Sequence, residues 1–295
     1  MNFTLNKVIW DVNPFVIESP IKVAYYGLCW ALGFLISLYF TKKLFKNEGT
    51  DEALLDKLFM YAFIGGIVGA RLGHIFFYGP YWGDNGYFSN PINFLKVWEG
   101  GLASHGGAIV LVIAMFIYAY RVSKKHVLWG FDRLIIGATF TAAMIRIGNL
   151  MNHEIAGKIT DSSLGFHFTK FTDPLTGLTD PEGVYRYPVQ LFESFGYFLL
   201  FGILFFLYLK KGIGNILGLT FGIGLTGIFL TRMIVENFKI DQVASDADSA
   251  LNYGQILSIP FLFGGIAVLV WSIYNWKNGN KVTAEISKDS KELDS

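Results

Sequence analysis

Charge is scarce in this chain. Only 16% of its 295 residues are Asp, Glu, Lys or Arg, where soluble domains carry about a quarter. A water-soluble globular domain is therefore the wrong class, and an integral membrane protein the right one. Cysteine is nearly absent: Cys29 stands alone. That excludes an internal disulfide and any cysteine-cluster metal site. It sits in an apolar run, where a lone thiol reads as a small buried hydrophobe. Several catalytic motifs are missing. There is no GxSxG, Walker loop, HExxH or HxxxxD pattern, so a serine nucleophile or a metal mechanism has no support and no cofactor is expected. A net charge of +1 gives no sign of a nucleic-acid partner. The first twenty residues include Trp10, Asp11, Asn13, Pro14, Glu18 and Pro20, so no cleavable signal peptide is expected. Internal repeats and low-complexity tracts are also lacking.

What is abundant is apolar sequence: 53% of residues are hydrophobic and 17% aromatic. Seven runs are long enough to span a bilayer, which needs about 20 residues. They cover 21–40, 58–78, 102–120, 128–151, 189–209, 216–234 and 253–276. Basic residues collect in alternate connections: Lys42, Lys43 and Lys46; Arg121, Lys124 and Lys125 with Arg133 close behind; Lys210 and Lys211; Lys277 and Lys281. The other side has only scattered Lys96, Lys158, Lys170, Arg186 and Lys239. The positive-inside rule then puts the N-terminus outside and the C-terminus in the cytoplasm, and an odd number of spans agrees with termini on opposite sides. The outer segments are longer and rich in turn residues. Tyr81, Trp82, Tyr87 and Trp98 suit an interfacial belt, and 158–187 reads as an ordered loop or small cap. The expected organisation is one transmembrane domain over 1–276 and a polar, disordered tail over 277–295.

Ionisable groups at membrane depth are costly and each is a functional hypothesis. They gather at the outer ends of the runs. In the second, Arg71 and His74 share a helix face, and a snorkelling arginine on a packing face accounts for them equally well. In the third, His105 lies between Gly100-Gly101 and Gly106-Gly107, open to a ligand's approach and suited to proton transfer. A satisfied interfacial histidine reads as well. The fourth ends Arg146-Ile-Gly-Asn149-Leu-Met-Asn152-His-Glu154-Ile-Ala-Gly157. On a continuing helix Arg146, Asn149 and His153 line one face, while Gly148 and Gly157 suggest that the helix loosens or ends there. Arg146 offers a fixed fork for phosphate, and Glu154 would hold an arginine or take a proton. In the fifth, Gln190 and Glu193 are three apart, a weak signal at a helix start. The sixth ends with Arg232 and Glu236, four apart and able to pair. A second arginine at the depth of Arg146 would let two guanidiniums bracket one anionic headgroup. Tyr25 and Tyr26 are common belt residues.

These pieces carry a resemblance. The Arg146–Gly157 stretch is similar to the signature of bacterial phosphatidylglycerol–prolipoprotein diacylglyceryl transferases. Tyr26-Gly-Leu, Gly69-Ala-Arg71-Leu-Gly73, the His105 glycine segment, Tyr187-Pro-Val-Gln190-Leu-Phe-Glu193, Arg232-Met-Ile-Val-Glu236 and Gly254-Gln255-Ile-Leu-Ser258-Ile-Pro260 follow in the family's order. Tyr187 departs from a histidine common there. The resemblance implies an all-α, seven-span protein of the bacterial inner membrane, with a periplasmic N-terminus, a cytoplasmic C-terminus and periplasmic loops forming a small cap. It implies transfer of the diacylglyceryl group of phosphatidylglycerol to the lipobox cysteine of a prolipoprotein signal peptide, releasing glycerol phosphate. Cys29 need not take part. His105, Arg146 and Arg232 become the catalytic candidates. Tyr26, Arg71, Asn149, Glu154, Gly157, Gln190 and Glu236 become substrate-binding candidates. Membrane arginine, glutamate and histidine also suit an ion path, but transporters are often built of repeated halves. A non-catalytic lipid-binding protein is a third reading.

Overall fold

The computed structural model describes residues 7–19, 22–79, 81, 86–96, 101, 103–240 and 251–279. Three short strands, β1 (Val8–Trp10), β2 (Phe15–Ile17) and β3 (Val23–Ala24), lead into helix α1 (Tyr25–Glu48). Helices α2 (Glu52–Phe77), α3 (Ser104–Ile117) and α4 (Val127–Met151) follow. Strand β4 (Phe166–Phe168) precedes α5 (Val189–Lys211), α6 (Leu219–Glu236) and α7 (Tyr253–Lys277). The fold is all-α, and among the described residues seven helices are long and apolar enough to cross a membrane. The boundaries shift from the expected runs for local reasons. Helix α1 starts at Tyr25 because Val23–Ala24 pair with β2. Helix α2 starts at Glu52 because the Asp51 carboxylate accepts from Ala53 N at 2.9 Å. Helix α6 waits until after Gly218, whose φ of 80° suits only the left-handed region. Of the predicted tail, 280–295 lie outside the described residues, as do Pro80, Trp82, Asn85 and Trp98 of the aromatic outer loop.

Compactness divides the chain into two units, 1–41 with 135–280 and 42–134 with 281–295. In the second, α2 and α3 pack through small residues. A Cβ on Gly73 would lie 2.7 Å from Gly106 Cα, so nothing larger than glycine fits. At the other end of these helices Arg133 donates from Nε and Nη2 to one Glu48 oxygen, at 3.0 and 2.7 Å, and lies 4.1 Å over the Trp129 ring. Tyr118 donates its hydroxyl to Leu54 O at 2.9 Å.

The first unit holds the start of α1, most of α4, helices α5 to α7 and the cap. Phe40 packs on Phe140, Phe201 and Phe205, joining α1, α4 and α5. The cap is ordered, as the turn-rich sequence predicts. Strand β1 runs parallel to β4, with Val8 beside Phe166 and Trp10 beside Phe168. Leu150, Ala156, Phe168 and Phe171 form its buried centre against Trp10, Phe166 and Ile240. Arg186 is clamped by both Asp180 oxygens at 2.6 and 2.8 Å and lies 4.7 Å over Phe171.

His153 seals this cap to α4. Its ring is buried, Nε2 donates to Val12 O at 2.8 Å, and Nδ1 accepts from Lys170 N at 3.4 Å. Those partners fix a neutral ring with the proton on Nε2. Burial holds its pKa below the ordinary value, opposed by the bond to Val12. The unfolded chain thus binds a proton that the folded cap refuses. Stability is full above the unfolded imidazole pKa of about 6.5 and falls as pH drops through it. Thermal unfolding of the detergent-solubilised protein between pH 8 and 5 should show that acid-side loss. His153→Gln, which keeps a donor for Val12, should flatten it; an unchanged slope removes His153 as its source.

Candidate active site

Helix α4 continues unbroken through Gly148. A Cβ there would meet Tyr26 at 3.0–3.1 Å and Cys29 at 3.3 Å, so the glycine serves close approach of α1, and the helix ends beyond it, before Gly157, as expected. Tyr26 is thereby brought within electrostatic range of Arg146 and Glu154. The helix stops at Met151, and His153 and Ile155 take left-handed backbone angles, φ 55° and 58°. The expected shared face of Arg146, Asn149 and His153 therefore does not form, because the chain turns in under the cap before His153.

Arg146 and Asn149 stay together: Arg146 Nη1 donates to Asn149 Oδ1 at 3.2 Å. The acid that holds Arg146 is Glu193 on α5, paired with its Nε, not Glu154. Glu154 is instead gripped by two amides, Asn149 Nδ2 at 3.2 Å and Asn152 Nδ2 at 3.0 Å, with its carboxylate at the exposed rim. Gln190, 1% exposed, fixes this turn by donating to Glu154 O at 2.6 Å.

Glu193 has a second partner. Lys239 Nζ lies 2.7 Å from its other oxygen and 2.9 Å from Glu236 Oε2. The Glu193, Lys239 and Glu236 side chains are only 1, 4 and 6% exposed. The expected Arg232–Glu236 pair is thus replaced by Lys239–Glu236, because a buried ammonium just past the helix end demands both carboxylates. Glu236 is confined further. Asn252 Nδ2 donates to its carbonyl at 3.3 Å, and a Cβ on Gly254 would overlap its carboxylate. Arg232 keeps a buried Nε with no hydrogen-bond partner. Tyr197 lies between the arginines, hydrogen-bonded to Arg146 and within electrostatic range of Arg232. Arg146 and Lys239 thus share the buried carboxylates Glu193 and Glu236, while the buried Arg232 Nε bonds to neither. Gly157 is buried beside this network, and a Cβ there would lie 2.7 Å from both Phe238 O and Tyr187 O.

Sequence reasoning passed over Lys239, read as a scattered outer lysine, and gave Glu193 little weight. A signal was present: Glu193 and Tyr197 share a helix face, and Lys239 stands three residues from Glu236.

The second unit places Arg71 and His105 separately. Arg71 is 6% exposed, with donors directed to backbone carbonyls: Nε to Phe94 O and Nη1 to Gly101 O, each 3.1 Å, and Nη2 to Asn93 O. Its guanidinium lies 5.2 Å from the Tyr87 ring. Arg71 thus anchors the segment entering α3. Gly101 has φ 72°, and a Cβ there would lie 2.6 Å from the His74 ring. His105 is exposed in the first turn of α3, and its ring bonds to no described residue.

The chain matches the family model of prolipoprotein diacylglyceryl transferases over residues 14–271. Among curated relatives, the phosphatidylglycerol–prolipoprotein diacylglyceryl transferase of Tolumonas auensis is 38% identical over 266 residues, 90% of this chain and 97% of the relative. Its namesakes from Porphyromonas gingivalis and Chloroherpeton thalassium are each 39% identical, covering 91 and 92% of this chain and 95 and 96% of theirs.

The ion network generates a stability test. Lys239→Met leaves Glu193 and Glu236 short of a buried counter-charge and should cost about 3–5 kcal/mol. Adding Glu236→Gln should recover part of it, read as the unfolding midpoint in detergent. A neutral single variant would show that the network does not hold these helices.

Proposed function

The chain belongs to the prolipoprotein diacylglyceryl transferase family, and from that premise we propose how its own side chains carry the reaction. It is a multi-pass membrane transferase that moves the diacylglyceryl group of phosphatidylglycerol to a prolipoprotein cysteine. We place it in the bacterial inner membrane with the cap on the periplasmic side, where the alternation of basic connections puts it. The acceptor is the lipobox cysteine of a signal peptide held in the bilayer.

The observation that carries this reading is the buried Arg232 Nε near the end of α6, a guanidinium donor left without a hydrogen-bond partner. A phosphodiester headgroup bears a negative charge and oxygens that accept from such a donor. As the cysteine sulfur bonds to the glyceryl carbon, the carbon–oxygen bond breaks. Its electron pair stays on the phosphate oxygen that leaves with glycerol phosphate. Charge grows on that phosphate, and cations fixed nearby lower the barrier because they need no rearrangement. Arg146 is held by Glu193, Asn149 and Tyr197, while the unpaired Arg232 Nε supplies a donor with nothing else to bind. Glu154 at the rim accepts hydroxyls of the headgroup glycerol, with Tyr26 beside it. Asn149 and Gln190 position Glu154, and Glu236 positions Lys239. Gly157 permits the close backbone packing behind them, and Arg71 holds the loop entering α3. His105 takes the thiol proton, since the thiolate is the nucleophile.

The test is purified protein in phosphatidylglycerol vesicles with a lipobox peptide, read by the mass of a cysteine-linked diacylglyceryl group. Arg232→Ala, and Arg146→Lys, which keeps a counter-charge for Glu193, should each lower turnover about 10²–10³-fold with an unchanged elution profile. Near-normal turnover in either would place the phosphate elsewhere, and ion or solute flux without product would end the transferase reading. For His105→Gln the loss should shrink as pH rises, because hydroxide then removes the thiol proton. A pH–rate profile parallel to wild type would remove His105 as the base.

A further inference from the structure

At the cap of the first unit lies a half-open cavity of about 530 Å³, of which the proposed transfer chemistry uses only the Glu154 edge. This is within the size range of small-ligand sites. Asn152, Glu154 and Ile155 form one side, where the chain leaves α4. Ile240, just past α6, and Phe171 and Pro174 of the cap form the rest. The cavity thus shares Glu154 with the proposed headgroup site but lies beyond the helix ends.

Its chemistry is mixed. Ile155, Phe171, Pro174 and Ile240 give an apolar lining. Asn152 keeps a buried amide oxygen without a donor, an uncommon and costly arrangement. Its own amide is committed to Glu154, so the missing partner is an N–H or O–H group. An anion is disfavoured, because Glu154 stands in the wall and the lysine there is already engaged: Lys170 Nζ bonds to Val12 O at 3.1 Å and pairs with Asp11 at 3.4 Å. The turn that builds the wall is strained. Ile155 is β-branched yet has φ 58°, a conformation that persists only where its surroundings impose it.

We propose that this cavity receives the residues of the acceptor polypeptide that directly follow the modified cysteine. The inference rests on the transferase reading. The signal peptide before the cysteine and the acyl chains of the lipid lie in the bilayer, and the headgroup glycerol outward of the phosphate is met by Glu154 at the cavity edge. The longer part that must continue past the helix ends is the polypeptide after the cysteine. A polypeptide supplies what the cavity lacks: a backbone N–H for Asn152 and a small apolar side chain for the Ile155–Phe171–Ile240 lining. Binding there holds the thiol against the headgroup site through both ends of the lipobox.

The experiment compares two lipobox peptides in phosphatidylglycerol vesicles, one amidated at the cysteine and one continuing for four residues. The wild-type enzyme should show a lower KM for the longer peptide. Thr172→Trp and Pro174→Trp, exposed positions at the cavity wall, should raise that KM about tenfold. They should leave the short peptide and the KM for phosphatidylglycerol unchanged. Equal wild-type KM values, equal losses on both peptides, or no loss on either would overturn the subsite. A raised KM for phosphatidylglycerol would make it a headgroup pocket and overturn it too. If wild-type enzyme lipidates neither peptide, the transferase reading itself fails; each of the other adverse results removes the subsite alone.

Discussion

A glutamate sealed between two cations governs the first unit. Glu193 projects from the second turn of α5 into an environment with almost no water, and it is tolerable there because Arg146 and Lys239 meet its two oxygens. Isolated buried charges cost several kcal/mol each, and a pair offsets that only with close geometry. The consequence is mechanical. Arg146 on α4, Glu193 on α5 and Lys239 beyond α6 fix three chain segments to one point, and Glu236 and Asn252 extend the constraint to the start of α7.

The same network leaves one donor over: Arg232 Nε is buried and unbonded. Proteins seldom leave such a donor without purpose.

The cap supplies a different element. Once α4 stops at Met151, the left-handed residues His153 and Ile155 reverse the chain within four positions, and Glu154 between them is directed to the rim. Those backbone angles are unfavourable for non-glycine residues. They are imposed by the His153 bonds to Val12 and Lys170, by the packing of Phe168 and Phe171, and by the Gln190 bond to Glu154 O. The bonds that hold the turn also aim the Glu154 carboxylate.

The sequence alone determined the seven apolar helices, their approximate limits and the gathering of polar residues at one set of helix ends. Hydrophobic length is a local property, and a charge inside an apolar run stands out without any knowledge of neighbours. It also marked Arg146, Asn149 and Arg232. Tertiary structure decided the partners. Local spacing suggested Arg232 with Glu236 and an arginine with Glu154, but Lys239 took Glu236 and Glu193 took Arg146, from segments about 45 residues apart in the second case. The expected run ended at 151, where α4 does end, but only the cap contacts show how the chain turns beyond it. Arg71 stood open between a packing face and a substrate-binding role, and the fold gives its nitrogens the carbonyls of Asn93, Phe94 and Gly101. The reason is the same in each case: a charge in an apolar run announces that it needs a partner, but only the folded chain brings the partner within reach.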